Sequence, residues 1–397
     1  MQEKAVQGTD ARLRDHSRDM RIARGSMDIP FLLITLLLLT IGVVMVLSAS
    51  YASAYYDLNN ETGGKATYYF TRQLGFAALG VIAMYFASRM PMAFYKKFSL
   101  MVLLTALALL VAVLVVGTES HGATRWIKVA GISIQPSEIA KIGVVLYFSV
   151  LICRYKNLMG TFKYGVLPFG IILAAIIGLL ALEPHLSASI IIILIGAIMM
   201  FVGGVRLGWF AIGAVGVGGL FAVAIKVSSY AAERVSAWLD PFGDASATGY
   251  QIVQSLFSVG SGGLFGLGLG QSRQKYLYLP EEHNDFIFSV ICEELGFIGA
   301  MLILALFALL IIRGYWLAMH ARDRYSFLVC TGVTSLLAIQ VLLNVAVCTN
   351  LIPCTGISLP FFSYGGTALL MQMAEMGIIL SASRDIPTER VSKRSSR

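Results

Sequence analysis

The chain has 397 residues, of which 57% are hydrophobic and 13% charged, and its formal net charge is +8. A soluble domain carries about 25% charged residues, and the apolar residues here fall in blocks long enough to cross a bilayer, about 20 residues per helix. That excludes a soluble globular protein, and the alternation of a membrane β-barrel is absent too.

Residues 1–28 are polar and Arg-rich and run straight into an apolar block. They read as a cytoplasmic basic tail and an uncleaved signal anchor, since a removable signal peptide has an apolar region of only about 7–15 residues. The stretch 31–47, FLLITLLLLTIGVVMVL, shows no polar face of the kind a soluble core helix needs. Ten spans of this type are expected, at 29–49, 73–88, 98–117, 135–153, 165–182, 187–204, 208–226, 286–312, 325–348 and 366–383. Helices suit them because lipid offers no partner to an open backbone. The expected fold class is an all-α polytopic membrane protein of about ten transmembrane helices. Residues 29–383 form its membrane domain and 384–397 a second basic tail.

Lys and Arg set the orientation. With both termini inside, the inner segments hold 21 of them and the outer segments 8, with Lys141 inside a span. Both termini are therefore expected in the cytoplasm. The positive charge then reflects topology and anionic membrane lipids, not a nucleic-acid footprint.

Three outer loops carry the chemistry, and long structured loops are where function usually sits. They are 118–134 (TESHGATRWIKVAGISI), a large extracytoplasmic loop over about 227–285, and 350–366 (NLIPCTGISLPFFSYGG). In the first, Arg125 and Lys128, with Lys141 of the following span, are expected to line a site for a phosphorylated substrate. Glu138 lies three residues before Lys141, so a local ion pair is the plainer reading. Trp126 suits an interfacial anchor. In the second loop, GSGGLFGLGLG (260–270) lacks the context of a phosphate-binding loop. It reads instead as a re-entrant, close-packed segment.

The strongest signal is LPEEHNDFIFSVICEELG, 279–296. Pro280 is placed to open a helix, with Glu281 and Asp285 on one face of its first turn and Asp285 ionised near the helix N-terminus. Helix capping by Glu281, Glu282 and Asp285 explains those acids but not the His283-Asn284 between them. Glu293 and Glu294 would lie roughly 12–14 Å deeper at 1.5 Å per residue, where acids default to a functional or paired role; Lys141 or Arg313 are the candidate partners. Five cysteines show no metal spacing; Cys348 and Cys354 flank an outer loop and could pair, though buried free thiols are the commoner case.

Four blocks, GATRWIKVAGISIQPSEIAK, GYQIVQSLFSVGSGGLFGLGLGQS, YLPEEHNDFIFSVICEELG and PCTGISLPFFSYGG, resemble in wording and order the signature blocks of the SEDS family (shape, elongation, division and sporulation). QSRQKYLYLPEEHNDF is closer to its division and sporulation branch, FtsW and SpoVE, than to the RodA branch. The resemblance implies a peptidoglycan glycosyltransferase in the bacterial cytoplasmic membrane. It would transfer the growing glycan from undecaprenyl pyrophosphate onto the 4-hydroxyl of lipid II, facing outward and working with a class B penicillin-binding protein. It maps the essential acid onto Asp285, the Trp of the RWI segment onto Trp126, the Lys after QPxE onto Lys141, and the SYGG turn onto Ser363, Tyr364, Gly365 and Gly366. Two departures stand out: Ser133 occupies a position where many members carry Arg, with Arg125, Lys128 or Arg273 as substitutes. Glu183-Pro184-His185-Leu186-Ser187 replaces a QPDLG-like turn.

An α-linked donor and a β-linked product require one inversion, so a single displacement with Asp285 as general base is expected. Cationic side chains or a divalent cation (Mg or Mn) would offset the charge on the leaving group. Glu281, His283 and Asp285 offer ligands, although no compact metal motif is present. Two rivals remain. A lipid II flippase fits ten spans, yet transporters centre on a midplane site between repeats and no internal repeat is visible. A scaffold that recruits a transpeptidase would have no use for Asp285.

Overall fold

A computed structural model describes residues 25–56, 62–120, 123–129, 132–227 and 229–386. Most of the two basic tails lies outside the described residues. Each expected span is a helix: α1 (Ile29–Tyr55), α2 (Tyr68–Arg89), α3 (Met92–Val116), α4 (Pro136–Tyr155), α5 (Leu167–Leu182), α6 (Leu186–Gly203), α7 (Leu207–Val227). After two short helices, α8 (Ser229–Leu239) and α9 (Tyr250–Ser261), come α10 (Ile287–Met319), α11 (Arg324–Cys348) and α12 (Gly366–Ser383). Among the described residues, eight helices are long and apolar enough to cross a membrane. The fold is an all-α polytopic membrane fold.

Local sequence sets several boundaries. Asp28 caps α1 by accepting the Phe31 N–H at 2.9 Å, with Pro30 in the first turn. Asp323 caps α11 in the same way through the N–H groups of Tyr325 and Ser326. Arg313 of α10 grips the Asp28 carboxylate with two nitrogens, at 2.6 and 3.1 Å, and so joins the start of α1 to α10.

Helices α4 and α11 form the centre, each with 78% of its apolar window buried, whereas α2 and α5 bury only 22% and face outward. Helix α2 packs tightly on α12, where a β-carbon at Gly377 would come within 2.5 Å of the Met84 carbonyl. Glycine lets the two backbones approach there. Although α12 carries Gln372 and Glu375, both are buried against protein.

Two features depart from the sequence reading. The first outer loop contains a small antiparallel sheet, β1 (Thr118–Ser120), β2 (Ala123–Val129) and β3 (Ile132–Ile134), in the order β1-β2-β3. Ile127 faces Ile134 and Lys128 faces Ser133 across its second hairpin. The run TRWIKV holds β-branched and aromatic residues that suit a strand, although its lack of alternation gives it no strand period.

The second departure is a break in α10 at Gly296, with φ 67° and ψ −173°. The Gly-rich segment 262–270 fills it. The Leu267 and Gly268 N–H groups donate to the Glu293 and Glu294 carbonyls at 2.9 and 3.0 Å, while Phe297 and Ile298 donate back to the Gly263 and Leu264 carbonyls. A β-carbon at Gly266 would sit 2.2 Å from the Glu294 oxygen. The glycines therefore serve backbone-to-backbone packing, as expected.

Candidate active site

The three outer loops meet at one cavity of about 700 Å³. Its walls come from α2, the small sheet, the starts of α4 and α6, α8, α9, α11, and the segments 280–286 and 354–366. Arg125, Trp126, Lys128, Glu138, Lys141, Glu281, Asp285 and Tyr364 all line it. Arg72, Arg234, Gln135, His185, Gln251 and Gln340 line it as well, none of them a site candidate by sequence.

Asp285 sits in an irregular turn, not in a helix. Pro280 does not open one; α10 begins at Ile287, and Glu281 adopts φ 56°. The turn closes through Asn284 and Phe286 N–H groups donating to the Glu281 carbonyl. Neighbouring elements fix it. The Asn344 amide of α11 donates to the Asp285 carbonyl at 2.8 Å and to the Ile357 carbonyl at 2.6 Å. The Ser363 hydroxyl donates to the Asn284 carbonyl at 2.7 Å and accepts the Leu359 N–H. The Tyr364 N–H donates to the His283 carbonyl at 2.8 Å. Asp285 is thus held by its backbone while its carboxylate faces the cavity.

The electrostatics differ from the helix-terminus expectation. Burial, then the nearby Glu281 charge, pushes the Asp285 carboxyl up to about 6, against the opposing pull of Arg234, Arg125 and His283. A carboxyl so placed is ionised at neutral pH and close to its protonation point, as a general base requires. In the turn before α6, burial raises Glu183 to about 7, with Arg125 opposing. Burial and the charges of Arg125 and Lys141 lower His185 to about 3, so it lines the cavity as a neutral imidazole. The Arg125 guanidinium also donates to the Pro184 carbonyl and ties this turn to β2.

Several candidates are placed otherwise than expected. Arg273 is exposed and is not part of the cavity wall; its N–H supports Glu293 at 2.9 Å. The His283 ring packs against Tyr69 and Tyr364, at 4.5 and 5.9 Å between centroids, outside the cavity lining. Glu281, His283 and Asp285 therefore do not converge on one ion, and among the described residues no three His, Cys, Asp or Glu side chains do. Ser363 stands behind the wall and positions Asn284. Glu138 and Lys141 form a buried pair at 2.7 Å, and both line the cavity.

Glu293 and Glu294 pair with neither Lys141 nor Arg313. Glu294 meets Lys275 Nζ at 2.9 Å and the Ser48 hydroxyl at 2.7 Å. Glu293 accepts from the hydroxyls of Ser258 and Ser272. The two acids anchor the large loop to the break in α10. All five cysteines are free, Cys348 and Cys354 included.

The family model described as cell cycle protein, covering FtsW, RodA and SpoVE, matches residues 29–387. Stage V sporulation protein E of Bacillus subtilis (strain 168) is 40% identical over 369 residues, 92% of this chain and 99% of its own length. The probable peptidoglycan glycosyltransferase FtsW of Trichlorobacter lovleyi is 38% identical over 359 residues, 90% of this chain and 93% of its own. A solved chain from a study of the structural coordination of polymerization and crosslinking by a peptidoglycan synthase complex superposes with a TM-score of 0.74 at 25% identity. It covers 90% of this chain and 98% of that one. The rod shape determining protein RodA of Thermus thermophilus gives a TM-score of 0.67 at 25% identity, covering 91% and 98%. With nearly its whole described length matched in sequence and fold, the chain belongs to the FtsW/RodA/SpoVE family, the SEDS family its four sequence blocks resemble.

Proposed function

We propose that the chain is a peptidoglycan glycosyltransferase that polymerises lipid II, with Asp285 as general base, in cell division or sporulation. The observation that carries this reading is the Asp285 carboxylate in a cavity whose wall, besides Glu281 and the paired Glu138, bears Arg72, Arg125, Lys128 and Arg234. A base and a cationic wall are what a single inverting displacement from a sugar pyrophosphate needs. The curated relatives named peptidoglycan glycosyltransferases support it.

In the reaction, Asp285 accepts the proton of the acceptor 4-hydroxyl as its oxygen attacks the anomeric carbon of the donor. The bond to the pyrophosphate breaks on the opposite face, and its electrons leave with undecaprenyl pyrophosphate. Arginine suits the departing group because its fork matches phosphate geometry. His185, neutral in the wall, can hydrogen-bond an uncharged sugar substituent without competing for the phosphates.

The excess of Lys and Arg in the inner segments favours cytoplasmic tails and a cavity open to the outside. The structural neighbour from a peptidoglycan synthase complex, where polymerization is coordinated with crosslinking, supports a class B penicillin-binding protein as partner. The test is glycan-strand formation from purified lipid II, with that partner inactivated at its acylation site. Polymer from the wild type and none from folded Asp285→Asn is the expected result. No polymer from either would sink the enzyme reading, and equal polymer from both would remove Asp285 as base.

A further inference from the structure

One of the two short helices outside the ten-span scheme, α8, carries a charge to the reaction centre. Its sequence SYAAERVSAWL places Arg234 and Trp238 four residues apart, on one face of a helix. That face is fastened to the segment after α11 at three points. Trp238 Nε1 donates to the Asn350 carbonyl at 3.2 Å, and the Asn350 amide donates back to the Trp238 carbonyl at 3.3 Å. Arg234 Nη1 donates to the Cys354 carbonyl at 2.7 Å. Two residues on, Gly356 packs against the Asp285 carboxylate. One strip of chain, 350–356, thus holds both the arginine and the wall behind the acid.

Four charged or titratable groups act on Asp285: Glu281 from its own turn, Arg234 from α8, Arg125 from β2 and His283. Glu281 is the like charge and Arg234 the first of the groups that oppose it. Arg125 is committed in part to the Pro184 carbonyl. Arg234, tied by one nitrogen to the cavity wall, lines the cavity with a fixed cation.

We propose that Arg234 is a positioning residue for catalysis: α8 delivers its guanidinium as the counter-charge that keeps Asp285 in proton-accepting form against Glu281. This rests on the reading of Asp285 as base. The inference assigns α8 a specific task, so detaching the helix and neutralising Arg234 have the same signature.

The experiment is the pH profile of lipid II polymerisation by the full chain with its transpeptidase partner. Wild type, Arg234→Gln, Arg234→Lys, Trp238→Phe and Asp285→Asn are compared. With Arg234→Gln the acidic limb moves to higher pH, so the loss against wild type is about ten-fold near pH 6 and almost vanishes by pH 8, as expected of a base that has lost an opposing charge. Arg234→Lys restores the limb, and Trp238→Phe, which removes the indole donor along with one ring, moves it part of the way. A loss of equal factor at every pH, or an unmoved limb, overturns the proposal. Should Arg234→Gln fail to fold by gel filtration and thermal melt, the Trp238→Phe profile decides, and no shift there overturns it. Polymer from Asp285→Asn would overturn the base itself, whereas an inactive Asp285→Asn with an unmoved Arg234→Gln limb would overturn this inference alone.

Discussion

Gly356 presses against Asp285 so closely that a β-carbon on it would lie 3.0 Å from Asp285 Oδ2. Its φ of 69° is a left-handed conformation, which costs a non-glycine residue about 1–2 kcal/mol. Gly356→Ala therefore meets two penalties, one in the backbone and one at the Asp285 carboxylate. The variant is expected to fold, with a modest drop in melting temperature, and to polymerise at least about ten-fold more slowly, since small misplacements of a reacting group carry large rate penalties. Steady-state rates beside thermal melts check this; a full rate with a lowered melt would show that the carboxylate is not crowded.

Asn344 holds the backbone of the same residue, Asp285. Its amide spans the Asp285 and Ile357 carbonyls, and the residue is fully buried. Asn344→Leu strands two buried carbonyls at about 1–3 kcal/mol each. The expected outcome is a kcat that falls more than KM changes, because the turn carrying Asp285 loosens while the cationic wall stays. An unchanged kcat with raised KM would place Asn344 in substrate binding instead.

Lys275 and Glu294 are both about fully buried, and Ser48 bonds both. Breaking such a pair by removing one partner typically costs about 3–5 kcal/mol, while replacing both with apolar residues is often near neutral. Glu294→Leu and Lys275→Met should each destabilise strongly, and the double variant should recover much of the loss. Unfolding in detergent measures the coupling; additive losses would show that the two act independently.

The helices were legible because membrane spans announce themselves by length and hydropathy: all ten expected starts fall within six residues of the observed ones, as 186 for 187 and 324 for 325 illustrate. Asp285, Lys141 and Trp126 were legible by wording and do meet at one cavity. What escaped depends on contacts distant in sequence. Glu294 finds Lys275, not Lys141, because the chain breaks at Gly296 and the Gly-rich segment docks there. Arg72 and Arg234 look like ordinary boundary charges until α2 and α8 bring them to the same wall. The turn around Asp285 looked helical because Pro280 and the acids imitate a helix start, whereas Ser363 and Tyr364 hold it open from across the fold.

Activity and stability should respond to pH in opposite senses. Burial raises the Asp285 carboxyl from 3.8 to about 6 and Glu183 from 4.5 to about 7. In each case the folded protein holds its proton more tightly than the unfolded chain. Stability is then greatest below the unfolded values and is lost as pH rises, between 3.8 and about 6 for Asp285 and between 4.5 and about 7 for Glu183. With Asp285 as the proposed base, polymerisation should instead rise through about pH 6. Neutral amides separate the two effects. Asp285→Asn should abolish activity yet raise stability near pH 8 by about 1–3 kcal/mol, a figure reduced for the water that reaches a cavity-facing carboxyl, with little difference near pH 4. Glu183→Gln should also stabilise at alkaline pH while leaving the activity limb set by Asp285 in place. Melting curves of the three proteins across this range provide the check. An Asp285→Asn protein that is less stable than wild type at pH 8 would mean that the ionised carboxylate is well satisfied in the fold, contrary to its raised proton affinity.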